Sequence, residues 1–275
     1  MTRAGRWLIG TGALGLLVLF SLVLPGAPSA LTPPRVVVST TPAPGPASAS
    51  AHAALHLVGL GDSVMSGTNC GCDGIIADYG RLLERDTGRR VEGDNLGVSG
   101  ATSADLLDDL QHDQETRQAV SAADVVVVII GANDLSDSLD TWKGGDCDSS
   151  CYGPDVTAMQ HRLETILQTI RQLAGDRNPE VLVTTYWNIY ADGDTVREGG
   201  GPAQLDWSAE VTAAANAAIA QAVAAQHDTV VDLLGPFKGR NGVGDPTDLL
   251  AADGDHPNAA GVTVIAQALG HGYPG

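Results

Sequence analysis

The sequence predicts an α/β fold: a flavodoxin-like three-layer sandwich on a five-stranded, mainly parallel sheet. Three observations predict it. Residues Val125 to Ile130 are six β-branched residues in a row with no polar alternation, the pattern of a strand buried on both faces. Short apolar runs alternate with helical patterns along the chain, which reads as βαβ units. The runs end in turn-forming residues, and the edge where parallel strands end is where ligands sit in open α/β sheets.

The chain has 275 residues, and its front is not domain. Arg3 and Arg6 precede an apolar run from Trp7 to Leu24, Pro25 breaks it, and small residues follow to Ala30. This is the layout of a secretory signal peptide. The run also approaches the ~20 residues that span a bilayer, so residues 1–30 read as a cleaved signal or a retained signal-anchor. Either places the rest outside the cytoplasm, with membrane contact only through residues 7–24. Residues 31–54 are rich in Pro, Ala, Ser and Thr and lack core-forming residues, which reads as a linker. Residues 55–275 suit one domain, expected as a monomer. The net charge of −18 argues against nucleic acid or an anionic membrane as the main partner.

Within the domain, Leu55–Leu60 reads as the first strand, turning at Gly61-Asp62-Ser63. Asp78–Thr87 carries apolar residues at helical spacing and Gly88 ends it. Val91–Leu96 is a weaker strand before Gly97, and Thr102 or Ser103 can cap a helix through Leu110. The central strand turns at Gly131-Ala132-Asn133-Asp134. Residues 135–153 read as a polar loop. Asp155 is expected to cap a helix whose Val156, Met159, Leu163, Ile166, Leu167, Ile170 and Leu173 share one face, with Gly175 stopping it. Val181–Tyr186 is the fourth strand, with the aromatic exit Trp187-Asn188-Ile189-Tyr190. Trp207 to Val223 is a further amphipathic helix, and Thr229–Leu233 the fifth strand. A Gly- and Asp-rich loop runs from Gly235 to His256 before a last helix, opened by Pro257 or Asn258, to Leu269.

Ser63, Gly97 and Asn133 follow three strands, so the topology brings them to one edge. Asp253-Gly254-Asp255-His256, after the fifth strand, can reach the same edge. These residue types suit acyl transfer. A serine hydroxyl needs a base, histidine is poised for that near neutral pH, and a carboxylate fixes the imidazole tautomer. Asp253 and His256 are three residues apart, close enough to act from one turn. The Asn133 amide and the N–H groups of Ser63 and Gly97 are candidate donors to an oxyanion.

The chain resembles the SGNH hydrolase superfamily, the GDSL-type esterases and lipases. The resemblance rests on Gly61-Asp62-Ser63, Asn95-Leu96-Gly97, Gly131-Ala132-Asn133-Asp134 and Asp253-x-x-His256, in that order. It implies Ser63 as nucleophile, His256 as general base and acid, and Asp253 as its orienting carboxylate. It also implies an oxyanion hole of Ser63, Gly97 and Asn133. No metal or cofactor is implied. The implied activity is hydrolysis of a carboxylic ester, on a small-molecule or glycan-linked substrate. Short-chain acyl and acyl-sugar esters are favoured because no long helical lid is evident. Acyl transfer to an alcohol on the same site, or a non-catalytic glycan-binding module, are the alternatives.

Several residues admit a competing role. Gly97-Val98-Ser99-Gly100-Ala101 imitates a nucleophile elbow, but Ala101 replaces its last glycine and Ser63 and Asn133 would be left without roles. Asp255 adjoins the histidine and suits the orienting role less well. Asp62 and Asp134 are expected to bind turn N–H groups. Trp142, Trp187, Tyr190 and Trp207 read either as packing or as an apolar wall of the site. The aspartates between Asp134 and Asp155 lack the register of a calcium loop. The four cysteines, Cys70, Cys72, Cys147 and Cys151, read as disulfides in an exported chain. A bridge within Cys70-x-Cys72 would close a very tight loop, so bridges between the two loops are expected.

Overall fold

The computed structural model describes residues 53–145, 147 and 151–273. The expected leader, and the linker up to residue 52, lie outside the described residues. Five strands form one all-parallel sheet: β1 Leu55–Gly61, β2 Val91–Gly97, β3 Val125–Ile129, β4 Glu180–Thr184 and β5 Thr229–Val231, in the order β2-β1-β3-β4-β5. Every residue of β3 is buried, as its unbroken β-branched run requires. β2 is an edge strand, polar and largely exposed. Right-handed crossovers make the winding reverse between β1 and β3. Their carboxyl ends, paired at Gly61 and Ile129, flank that reversal.

Ten helices follow in chain order among the described residues: α1 Ser63–Ser66, α2 Ile75–Thr87, α3 Ser103–His112, α4 Gln114–Ala122, α5 Ser136–Gly144, α6 Gly153–Ala174, α7 Gly193–Gly199, α8 Gly201–Gln226, α9 Leu234–Lys238 and α10 Ala259–Gly272. α2 packs on α10, while α6 packs on α3, α4 and α8, which gives the three layers. The α6 face from Val156 to Ile170 is buried as its spacing predicts. Each such side chain contributes about 1.5–3 kcal/mol of burial. Thr102 caps α3 in a reciprocal box with Asp105. Asn258 caps α10 by accepting from the Ala260 and Gly261 N–H groups at 2.8 and 3.1 Å.

Several local expectations change. α2 starts at Ile75, before Asp78. α4 is an additional helix; Asp113 starts it by accepting from the Thr116 N–H at 2.7 Å. Part of the expected 135–153 loop is the helix α5, whose Leu139 and Trp142, one turn apart, pack on the core. α6 opens at Tyr152 with Pro154 in its first turn. Asp155 accepts from Ser138 at 3.3 Å instead of capping. The 235–256 loop contains most of α9.

The disulfides differ too. Cys70 joins Cys72 and Cys147 joins Cys151, each with Cα atoms 5.3 Å apart. Gly71 adopts a left-handed conformation, φ 62°, which folds the chain back far enough for the tight bridge. Such short loops constrain the unfolded chain little. Reduction is expected to cost about 2 kcal/mol or less per bridge, against roughly 4.5 kcal/mol for one joining the two loops. Denaturant unfolding with and without reductant, beside mass-spectrometric mapping of the bridges, checks both points.

Candidate active site

The sheet's carboxyl edge carries a cavity of about 500 Å3, lined by Ser63, Asn133, Asp253 and His256 among others. Backbone geometry delivers Ser63. β1 ends at Gly61, whose φ of 147° brings it against the Ile129 carbonyl, where a Cβ would overlap the oxygen. Asp62 then caps α1, its Oδ1 accepting from the Val64 N–H at 2.9 Å. Ser63 is the first residue of that turn, so its N–H has no partner within the helix. Asn133 opens a 3-10 turn just after β3.

Asp253 and His256 lie in the loop before α10. His256 Nδ1 is 2.8 Å from Asp253 Oδ2. Asp253 Oδ1 accepts from the N–H groups of Asp255 and His256 at 2.9 and 3.0 Å, and Oδ2 accepts from Asn69 Nδ2 at 2.6 Å. Burial pushes the Asp253 carboxyl up. The Asp255 N–H, the imidazole, the His256 N–H and the Asn69 amide outweigh burial and hold it well below the usual carboxylate range. Asp255 Oδ2 stands 4.0 Å from the same imidazole nitrogen, outside hydrogen-bond reach. With Nδ1–H donated to Asp253, Nε2 is left as the accepting nitrogen.

The oxyanion-hole candidates are placed differently from one another. Asn133 Nδ2 donates to the Ala101 carbonyl at 2.9 Å, which leaves its second N–H to the cavity it lines. The Gly97 N–H donates to Asn95 Oδ1 at 3.1 Å, and Gly97 is not among the residues lining this cavity. A Cβ there would lie 2.5 Å from the Ser66 nitrogen, so the close pass of α1 explains the glycine. Ser99 is exposed, accepts from Thr68 at 3.2 Å and lies outside the cavity lining. The aromatic group divides. Trp187 and Tyr190 line the cavity. Trp142 and Trp207 stack on each other at 5.2 Å, Tyr190 stacks on Trp207 at 5.4 Å, and Trp187 stacks on Phe237 at 4.2 Å.

The profile of the GDSL-like lipase/acylhydrolase family matches residues 60–264. The chain belongs to that family. It is accordingly a carboxylic ester hydrolase. Among solved structures, it is similar to the lipase Lip_vut3 from a goat rumen metagenome, with a TM-score of 0.65, 22% identity and coverage of 80% of this chain and 98% of that one. It is also similar to Axe2, an acetyl-xylooligosaccharide esterase from Geobacillus, with a TM-score of 0.53, 21% identity and coverage of 78% and 92%. A lipase/acylhydrolase from Enterococcus faecalis gives a TM-score of 0.50, 21% identity and coverage of 79% and 94%. At such identities these likenesses speak for the fold. No curated protein sequence matches the chain.

Three contacts that support this candidate site leave no mark in the sequence. Asp62 Oδ2 accepts from the Tyr186 hydroxyl at 2.5 Å, a contact spanning 124 positions that no local pattern announces. Asn216 clamps the Tyr186 backbone, accepting from its N–H at 2.9 Å and donating to its carbonyl at 2.8 Å. Asp134, instead of binding its own turn, accepts from the Ser103 N–H at 2.8 Å, the Ser103 hydroxyl at 2.5 Å and Arg162 at 2.7 Å. It thereby ties the Asn133 turn to α3 and α6. Loss of this acceptor in Asp134→Ala leaves buried donors unpaired. It is expected to cost about 2–4 kcal/mol, measurable by urea unfolding.

Burial raises the Asp62 carboxyl to about 6, against the lowering effect of the Tyr186 hydroxyl and the Val64 N–H. The folded state therefore binds a proton there that the unfolded chain has released above pH ~4. Its contribution to stability falls as pH rises from about 4 to 6. Relative to Asp62→Asn, which keeps a capping oxygen but does not titrate, the wild type is expected to lose up to about 3 kcal/mol over that range. Unfolding curves of both proteins at pH 4, 5, 6 and 7 test this.

Proposed function

We propose that the protein is an exported serine esterase in which Ser63, His256 and Asp253 form the catalytic triad. The observation that carries this reading is the His256–Asp253 hydrogen bond on the wall of the cavity that Ser63 also lines. His256 takes the Ser63 hydroxyl proton as the serine oxygen attacks the ester carbonyl carbon. The tetrahedral oxyanion is held by the second Asn133 amide N–H and the Ser63 N–H. Gly97 joins them only when Asn95 releases its N–H. His256 then gives its proton to the departing alcohol. Water, deprotonated by the same imidazole, attacks the acyl-serine, and the acid leaves as Ser63 recovers its proton.

Cavity chemistry narrows the substrate. Asp62, Asp140, Asp253 and Asp255 line it, and no Lys or Arg is among the described lining residues. Such a lining disfavours anionic esters. Tyr186, Trp187 and Tyr190 supply an apolar wall of limited extent. An uncharged ester with a short acyl group, on a small alcohol or a sugar, fits both features. The acetylated xylooligosaccharide substrate of Axe2 is of this class.

Residues 31–275 are expected to hydrolyse p-nitrophenyl acetate and butyrate faster than the decanoate. Ser63→Ala is expected to lower turnover at least about 10³-fold with the fold intact. Equal turnover in both proteins would reject Ser63 as the nucleophile. Product analysis with an added sugar acceptor separates hydrolysis from acyl transfer. Trp187→Ala is expected to shift the chain-length preference toward longer acyl groups, and an unchanged acetate-to-decanoate profile would remove Trp187 from the acyl wall.

A further inference from the structure

A lysine sits where lysines are seldom found. Lys238, the last residue of α9, has a side chain only 11% exposed, and its Nζ lies 2.5 Å from Asp192 Oδ2, itself 3% exposed. Long flexible cations are rarely buried unless paired. A buried ion pair is a weak device for stability, because the desolvation of two charges offsets much of their attraction. In some proteins a buried pair serves to fix geometry, and the surroundings of this one indicate which geometry.

Asp192 is a junction. Its Oδ2 also accepts from Asn188 Nδ2 at 2.9 Å, and its Oδ1 from the Gly193 N–H at 2.7 Å. Its own N–H donates to the Gly254 carbonyl at 2.7 Å. Gly254 lies between Asp253 and His256 and has φ 71°. A Cβ there would lie 2.9 Å from the Asp192 carbonyl oxygen and 2.7 Å from Thr195 Cβ. The histidine loop is thus seated directly on Asp192. Asn188 lines the cavity and in turn accepts from the Tyr190 N–H at 3.2 Å and the Thr212 hydroxyl at 3.1 Å. Asp192 therefore joins two walls of the site: its main-chain N–H meets the histidine loop, its carboxylate holds the Asn188 wall, and Lys238 is the counter-charge of that carboxylate.

We propose that Lys238 is a positioning residue for catalysis. Through Asp192, it sets the placement of the Asp253–His256 loop and of the Asn188 wall. The proposal rests on the triad reading above. Lys238 touches neither the reacting atoms nor the triad. Its effect reaches the imidazole by way of the Asp192–Gly254 hydrogen bond, and small misplacements of a catalytic base cost large factors in rate.

The test compares wild type with Lys238→Met, which keeps length without charge, and Lys238→Arg, which restores the cation. Steady-state kinetics on p-nitrophenyl acetate would be measured well below the melting temperature, together with the low-field proton NMR resonance of the His256 Nδ1–H. Lys238→Met is expected to lower kcat at least about tenfold with KM within about threefold, and to shift or broaden the resonance. Lys238→Arg is expected to recover most of both. A folded Lys238→Met with wild-type kcat and an unmoved resonance overturns the proposal. Should Lys238→Met fail to fold, Asp192→Asn, which keeps an acceptor for the Gly193 N–H, takes its place in both measurements. A reduced kcat with a displaced resonance then supports the proposal, and wild-type values of both overturn it. The resonance needs no turnover. Failure of the Ser63 reading, seen as activity surviving Ser63→Ala, is therefore distinguishable from failure here.

Discussion

A strand without a polar side chain on either face must be covered by a helical layer on each side. β3 imposes that requirement, and the rest of the molecule meets it. Covering both faces with right-handed connections forces the chain to wind away from the centre in two directions. The place where it turns from one direction to the other opens a crevice between the ends of β1 and β3. Ser63 and Asn133 stand on either side of that crevice. The candidate site is thus a by-product of burying Val125 to Ile129, and hydrophobic burial sets where Ser63 and Asn133 stand.

The rim is held by polar contacts reaching down from it. The Asp62 carboxylate beneath Ser63 is met by a tyrosine hydroxyl from the β4 exit. The Asn133 turn is anchored by Asp134 to Ser103 and Arg162. The imidazole loop leans on Asp192. Each anchor joins the turn after one strand to an element from elsewhere in the chain, so the side chains of the proposed triad share one scaffold. α9, only five residues long, supports the wall from behind by presenting Phe237 to Trp187 and Lys238 to Asp192. None of the described helices is long and apolar enough to cross a membrane.

Much of this is legible in the sequence because it depends on local period and on residue type. The β-branched run marks β3, the i, i+3, i+4 stripe marks α6, and the glycine-rich turns place Ser63 and Asn133 on one edge. The Asp253–His256 pairing is legible because the two stand three positions apart in one turn. Contacts set by the tertiary fold are not. Tyr186 reads as the end of a strand, and nothing near it points to Asp62. Lys238 falls inside the Gly- and Asp-rich stretch that the sequence offers only as a loop. The expected disulfide pairing fails because chain tightness alone ignores the left-handed turn that Gly71 allows. Helix α5 is hidden because a nine-residue segment with few apolar side chains has little periodicity to show.

The stacking of Trp187 on Phe237 also bears on how such a pocket changes over evolutionary time. The indole is among the residues lining the candidate cavity, is almost wholly buried, and lies against a ring 4.2 Å away, nearly parallel at 9°. A smaller residue at 187 would enlarge the pocket and at the same time strip the Phe237 ring of its neighbour, opening a void behind the wall. Selectivity and packing are therefore inherited together at this position. A lineage moving toward bulkier acyl groups would be expected to change 187 and 237 as a pair, and related chains should show the two positions varying in step.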